Sequence, residues 1–174
     1  RDWQKQITWD TVKMIQDTID GRPLILKGIQ TAEDAALAVE HDVKAIYISN
    51  HGGRQLDQVL GNMDMLPEIV SAVDGKAEIV VDGGFARGTD IIKALAMGAD
   101  VAAIGRLQAW ALAAGGAPAL VKCLELLERE ITTTMGLIGV TSLDQLDSSY
   151  VTKAKWVRFP HEHSAFPHLG GQIL

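Results

Sequence analysis

Two stretches with a shared pattern decide the fold: residues 32–49 read AEDAALAVEHDVKAIYIS, and residues 88–105 read GTDIIKALAMGADVAAIG. When the two are aligned, Asp34 matches Asp90 and Ile48 matches Ile104. Each stretch predicts a helix, a tight turn and then a short apolar strand. A repeat of this kind indicates a βα unit used more than once, as in a β/α barrel or a doubly wound sheet.

The rest of the chain extends this alternation of helices and strands. Short apolar runs predict strands at residues 23–27, 45–49, 78–82 and 101–105. Such near-continuous apolar runs are typical of parallel strands buried on both faces. Helical patterns lie at residues 8–19, 31–41, 63–73, 88–97, 107–114 and 117–134. Thr31 is the predicted N-cap of the second helix, and Gly98 is the predicted end of the fourth. The sequence therefore predicts four consecutive βα units.

Composition excludes several classes of protein. The 174 residues are 47% hydrophobic, which is enough for a core, and the net charge of -6 argues against nucleic-acid binding. The single cysteine, Cys123, excludes an intrachain disulfide and favours a reducing compartment. No run reaches the ~20 apolar residues of a membrane helix, so we expect no membrane span. The C-terminal GGQIL is not a Ser-Lys-Leu peroxisomal address, so we expect a cytoplasmic location.

Polar residues beside glycine follow all four predicted strands. Ligands bind at the carboxyl ends of strands in barrels and in open α/β sheets. The residues at these ends are Lys27 and Gly28, the SNHGGR run at 49–54, Asp82 with Gly83 and Gly84, and Gly105 with Arg106. Glycine backbone and helix N-termini suit a phosphate group, so the third and fourth ends predict a phosphate site. The alternative is that these glycines serve only tight turns.

Three side chains at these ends have chemistry of their own. His51 can accept a proton near neutral pH, and Arg54 can hold a carboxylate through two parallel hydrogen bonds. Together they suit an acid substrate with a proton to lose. Lys27 can stabilise negative charge on a reduced cofactor or an enolate, form a Schiff base, or pair with a carboxylate.

Four segments resemble the FMN-dependent α-hydroxy-acid dehydrogenases and oxidases. They are LILKGIQTAEDA at 24–35, IYISNHGGRQLD at 46–57, VDGGFARGTDIIKALAMGAD at 81–100 and AIGR at 103–106. The resemblance runs from about residue 8 to about residue 138. It implies an α/β fold that is the C-terminal half of a TIM (β/α)8 barrel, about four βα units with a long C-terminal helix. Residues 1–149 would form this half and residues 150–174 an irregular tail.

The resemblance also implies a site and a reaction. His51 would be the base and Arg54 would bind the substrate carboxylate. The implied FMN contacts are Lys27, Ser49, Asp82, Gly83, Gly84, Phe85, Ala86, Arg87, Gly105 and Arg106. A 2-hydroxy acid of the lactate, glycolate or mandelate class would be oxidised to the 2-oxo acid. Oxygen or an electron carrier would then reoxidise the flavin. No metal site is predicted.

Two departures from the family pattern leave alternatives open. Ala86 stands where the family usually has arginine, and Arg87 comes one residue later. A full barrel needs about 250 residues, so we expect the chain to form a homo-oligomer or to need an N-terminal half. The alternatives are an inactive half-barrel that binds FMN or phosphate, and another phosphate-binding barrel enzyme.

Overall fold

The computed structural model describes residues 6–154, which form a four-stranded parallel sheet and five helices. The strands are β1 (Ile25–Ile29), β2 (Ala45–Ile48), β3 (Glu78–Val81) and β4 (Val101–Ala102). The helices are α1 (Trp9–Thr18), α2 (Ala32–Glu40), α3 (Asn62–Val73), α4 (Gly88–Ala96) and α5 (Arg106–Ile138). Short 3-10 turns cover His51–Gly53, Leu143–Gln145 and Ser148–Tyr150.

The order of the strands confirms the four predicted βα units. They lie side by side as β1-β2-β3-β4, and each adjacent pair is parallel. A helix connects each strand to the next, which is the βα alternation of barrels. All four carboxyl ends therefore lie at one edge of the sheet.

One face of the sheet forms the core of the protein. Ile46 and Ile48 of β2 and Ile79 and Val81 of β3 are buried there. They belong to one apolar cluster with residues of α2 and α3: Ala35, Ala38, Met65, Leu66, Ile69 and Val73. The helices pack against this face because the contact buries their apolar side chains away from water.

The other face of the sheet is open. Lys27, Tyr47, Val80 and Val101 form a row across it, one from each strand in register. Ile25, on the same face of β1, is 55% exposed, and Val101 is 46% exposed. The prediction that the strands are buried on both faces is therefore wrong for β1 and β4. These strands are the two edges of the sheet, and no described residue covers the face between them.

Strand boundaries differ from the sequence prediction at both edges. β1 begins two residues later than predicted and continues through Gly28, whose φ of 99° accommodates a bulge between Lys27 and Ile29. Lys27 is therefore in the middle of β1, not at its end. β4 has only two residues, three fewer than the predicted run at 101–105. The predicted N-cap is confirmed, because the Thr31 side chain accepts a hydrogen bond from the Asp34 N–H at 3.1 Å.

Helix α5 is interrupted where the sequence predicted the end of one helix and the start of another. Gly115 (φ -168°, ψ 26°) and Gly116 (φ 66°, ψ -153°) leave the helical conformation there. By length and composition alone α5 could cross a membrane, which differs from the expectation that no stretch could. The part after the break carries Lys122, Glu125, Glu128, Arg129 and Glu130, which a lipid environment disfavours.

The predicted tail lies largely outside the described residues. Residues 155–174, with His161, His163 and His168, are not described. The proposed boundary at residue 149 therefore stays a prediction.

Candidate active site

A cavity of about 780 Å³ opens at the carboxyl ends of the four strands. This volume is within the range of small-molecule sites, roughly 300–1,000 Å³. Every predicted site residue except Ser49 and Arg87 lines it: Lys27, His51, Arg54, Asp82, Gly83, Gly84, Phe85, Ala86, Gly105 and Arg106. The structure thus brings residues from all four strand ends around one space.

A hydrogen-bonded trio crosses the sheet at the base of the cavity. The Lys27 ammonium donates to Ser49 Oγ at 2.8 Å, and the Ser49 hydroxyl donates to Asp82 Oδ2 at 2.9 Å. Lys27 Nζ also lies 3.4 Å from the same carboxylate oxygen. Ser49 is fully buried, so it holds Lys27 and Asp82 from behind the cavity wall. These contacts fix the ammonium in place.

Tyr47 lies beside this trio on the open face of the sheet. The Lys27 ammonium is 4.7 Å from the centre of its ring, a cation–π distance. Burial raises the pKa of the Tyr47 phenol, and the nearby Asp82 carboxylate raises it further. Tyr47 therefore stays neutral at physiological pH and gives Lys27 an aromatic surface.

The loop that carries His51 has an unusual backbone. His51, Gly52 and Gly53 have φ values of 55°, 69° and 71°, all left-handed. The Asn50 side chain stabilises this turn by accepting from the N–H groups of Gly52 (3.0 Å) and Gly53 (3.2 Å). The His51 N–H donates to Ser49 Oγ at 3.2 Å. The turn leaves the His51 side chain exposed and close to Gly28, where an added Cβ would lie 3.5 Å from the imidazole Cε1.

Two arginines bring positive charge to the cavity. Arg54 ends the His51 turn, and Arg106 begins α5. The Arg106 guanidinium reaches across to the turn, because a Cβ added at Gly52 would lie 3.3 Å from one of its terminal nitrogens. Two guanidinium groups in one cavity favour an anionic ligand.

The glycines opposite His51 leave backbone open to a ligand. Gly83 and Gly84 have φ values of 98° and 82°, which favour glycine. A Cβ added at Gly84 or at Gly105 would meet no described atom within 4 Å. Gly105 precedes the N-terminus of α5, whose free N–H groups attract anions. Open glycine backbone beside a helix N-terminus is an arrangement that suits a phosphate group.

The N-terminus of α4 already holds an anion from this chain. The Gly88 N–H donates to Glu130 Oε2 at 2.7 Å, and Arg87 Nε donates to Glu130 Oε1 at 2.8 Å. The Arg87 hydrogen bond, followed by that of Gly88, lowers the pKa of the Glu130 carboxyl. Asp90 accepts from the N–H groups of Ala86 and Arg87. The Arg87 side chain therefore points to α5 and does not reach the cavity.

Several residues of the site region were not predicted as functional, among them Trp110 and Asn62. Trp110 lines the cavity and is 64% exposed. Trp110 follows Arg106 by about one helical turn, and this spacing could have indicated from the sequence that it lies near the cavity. Asn62 is buried between the His51 and Asp82 loops. Nothing in its local sequence marks it.

Comparison with known proteins defines the class. Residues 1–153 match the family model for FMN-dependent dehydrogenase, and the chain belongs to this family. It is 50% identical over 145 residues to an L-lactate oxidase from Nostoc sp., covering 83% of this chain and 40% of that protein. It is 45% identical to human 2-hydroxyacid oxidase 2, covering 83% of this chain and 41% of that protein.

Solved structures agree with the family. A mandelate oxidase structure matches 79% of this chain and 41% of its own, with 44% identity and a TM-score of 0.76. Another mandelate oxidase structure contains a monooxide FMN adduct. The predicted family, its cofactor FMN and the partial TIM barrel are confirmed. The chain spans about 40% of the length of the curated relatives that it matches.

Proposed function

We propose that this chain supplies the FMN site, the base and the substrate-carboxylate site of an enzyme that oxidises a 2-hydroxy acid to a 2-oxo acid. The observation that carries the proposal is the convergence of His51, Arg54, Lys27 and Arg106 on one cavity at the strand ends. Histidine and arginine side by side suit an acid substrate, whereas a phosphate-binding site alone would need neither at that turn.

The residues present fit FMN. Open backbone at Gly84 and Gly105, together with the Arg106 guanidinium, suits the phosphate group. The fixed ammonium of Lys27 would suit the flavin, on which negative charge develops on reduction. The further proposed contacts are Ser49, Asp82, Gly83, Phe85 and Ala86. Arg87 is better explained as the partner of Glu130.

FMN supplies the electron acceptor for this reaction. Converting the alcohol to the carbonyl removes two electrons and two protons, from the hydroxyl group and from the α-carbon, and bound FMN would take up both electrons and one proton. His51 accepts one of these protons, because its exposed imidazole is the base that the turn presents to the cavity. Arg54 holds the carboxylate through a bidentate pair and so orients the α-carbon. Lactate, glycolate and mandelate are the substrate class, and the relatives' names favour oxygen as the second acceptor.

The phosphate site is tested by FMN titration of this chain, followed by quenching of flavin fluorescence. We expect saturable binding at micromolar concentrations. Arg106→Ala should weaken it about 10- to 100-fold, the effect of losing one charged hydrogen bond. Arg22→Ala is the control, because Arg22 precedes β1 at the opposite end of the sheet. Unchanged affinity in Arg106→Ala contradicts the phosphate site.

We also propose that residues 1–149 form a half-barrel that is completed by further βα units, with residues 150–174 as a tail. The support is the open face of the sheet and its two unpaired edges within residues 6–154. Parallel sheets are almost always covered on both faces. Either an N-terminal half or a second copy of the chain would provide the cover. The half-barrel by itself is then not expected to turn over substrate.

Light scattering after size-exclusion chromatography tests whether the chain associates with a second copy of itself. The chain alone should elute with a mass above that of a monomer, because its open edges pair with another copy. Val101→Lys places a charge in the exposed row of β4 and should shift the mass toward the monomer. Leu137→Lys, at a position that is 83% exposed on α5, is the control and should change nothing. A monomeric wild-type chain contradicts self-association.

A further inference from the structure

We propose that Asn62 is a positioning residue that locks the base loop (residues 50–54) to the glycine loop (residues 82–84). Its side chain is only 4% exposed and lies between the two loops, at the start of α3. The catalytic meaning of this lock rests on the proposed function. The lock itself rests on hydrogen bonds of the chain.

A single carboxamide contacts both loops. Its oxygen accepts from the Asn50 N–H at 3.1 Å, at the start of the base loop. Its nitrogen donates to the backbone carbonyl of Asp82 at 2.6 Å and to Asp82 Oδ1 at 3.2 Å. A carboxamide has two N–H donors and an acceptor, whereas a hydroxyl has a single donor and an apolar side chain has none.

On the base loop, the contact at Asn50 acts on the whole turn. The Asn50 side chain holds the Gly52 and Gly53 N–H groups and donates to the Leu60 carbonyl at 3.2 Å. This turn keeps His51 in its left-handed conformation. Asn62 therefore positions the imidazole through Asn50, without touching it.

On the glycine loop, Asn62 completes the hydrogen bonding of Asp82. Asn62 takes Oδ1, while Ser49 and Lys27 take Oδ2. The carboxylate is thus held through both of its oxygens. Asn62 also packs against Gly83, where an added Cβ would lie 2.7 Å from Nδ2. The position of the glycine backbone depends on this contact.

The direction of the side chain distinguishes this role from ordinary helix capping. Asparagine near a helix start usually bonds to N–H groups of its own helix. Within residues 6–154, the hydrogen bonds of the Asn62 side chain all lead to Asn50 and Asp82. Burying a carboxamide costs free energy unless its own donors and acceptor are hydrogen-bonded. Here its partners belong to the two loops that form the site.

Amide hydrogen exchange, measured by NMR on this chain, tests the lock. Asn62→Ala should speed exchange at the Asn50 N–H about tenfold, the effect of losing one hydrogen bond. Exchange at Gly52 and Gly53 should also rise. Asn62→Asp keeps an acceptor for Asn50 but replaces the donor to Asp82 with a carboxylate. In Asn62→Asp the Asn50 N–H should stay protected from exchange, while FMN affinity should fall about tenfold.

Gln58→Glu is the matched control, because it makes the same amide-to-carboxylate change at an exposed position nearby. It should leave exchange and FMN affinity unchanged. The proposal is overturned if Asn62→Ala leaves both at wild-type values, or if Asn62→Asp and Gln58→Glu behave alike. If Asn62→Ala does not fold, Asn62→Asp decides. Failure of the wild-type chain to bind FMN would count against the proposed function, while exchange at Asn50 would still test the lock.

Discussion

Replacing His51 with asparagine is expected to lower turnover of a 2-hydroxy acid by about 10²- to 10⁴-fold, the usual contribution of a general base. Asparagine tolerates a left-handed backbone better than most residues, so the turn at φ 55° should survive. The loss is then one of proton transfer and not of structure. The assay uses lactate, glycolate or mandelate with a dye acceptor, on the chain joined to an N-terminal half-barrel that completes the proposed enzyme.

Two controls accompany this measurement. FMN affinity of His51→Asn should match the wild type, because the proposed phosphate contacts are Gly84, Gly105 and Arg106. His41→Asn changes a histidine that stacks on Trp9 and lies before β2, at the end of the sheet away from the cavity. It should keep normal turnover. Full activity in His51→Asn would show that another group is the base.

Gly88→Ala is expected to destabilise the fold by about 2–4 kcal/mol, the sum of overpacking and a lost hydrogen bond. A Cβ at Gly88 would lie 2.6 Å from Glu130 Cβ, 2.7 Å from the Ile131 nitrogen and 2.7 Å from the Leu127 carbonyl oxygen. Two of these are backbone atoms of α5, so α4 and α5 must separate. The bond from the Gly88 N–H to Glu130 would then be lost.

Urea denaturation measures this effect. Gly136→Ala is the control: it lies in the same long helix, and a Cβ there would meet no described atom within 4 Å. Since alanine favours helix more than glycine does, Gly136→Ala should gain up to about 1 kcal/mol. If the two variants unfold at the same urea concentration, the close packing of α4 on α5 at Gly88 is wrong.

The fold was predictable where local pattern and core agree. The repeat at residues 32–49 and 88–105 predicted helices and strands that the structure contains, and Thr31 caps its helix as expected. The two edge strands, β1 and β4, were harder to predict. Gly28 looked like the end of a strand but forms a bulge within β1, because a glycine with positive φ suits either. The exposure of one face of β1 and β4 could not be predicted from their sequences. It depends on whether other residues pack against that face, and residues 6–154 do not.

The site was predictable to the extent that it follows strand ends. Lys27, His51, Arg54 and Arg106 all line the cavity. What local sequence did not show were the long-range partners. Arg87 precedes a helix and looked like a phosphate ligand, but Glu130, 43 residues away, takes its guanidinium. The pairing of Asn62 with Asp82 likewise depends on how α3 packs against β3, which no single segment encodes.

The position of Trp110 allows binding in the cavity to be followed by tryptophan fluorescence. Trp9 stacks on His41 with ring centres 5.0 Å apart, whereas the Trp110 indole stands on the cavity wall. Indole emission overlaps the near-ultraviolet absorption of an isoalloxazine ring, so energy transfer over a few ångströms is efficient. The protein therefore carries its own optical reporter. Trp110→Phe would identify that signal without an attached dye, and the time course of its quenching would give the rate at which cofactor enters.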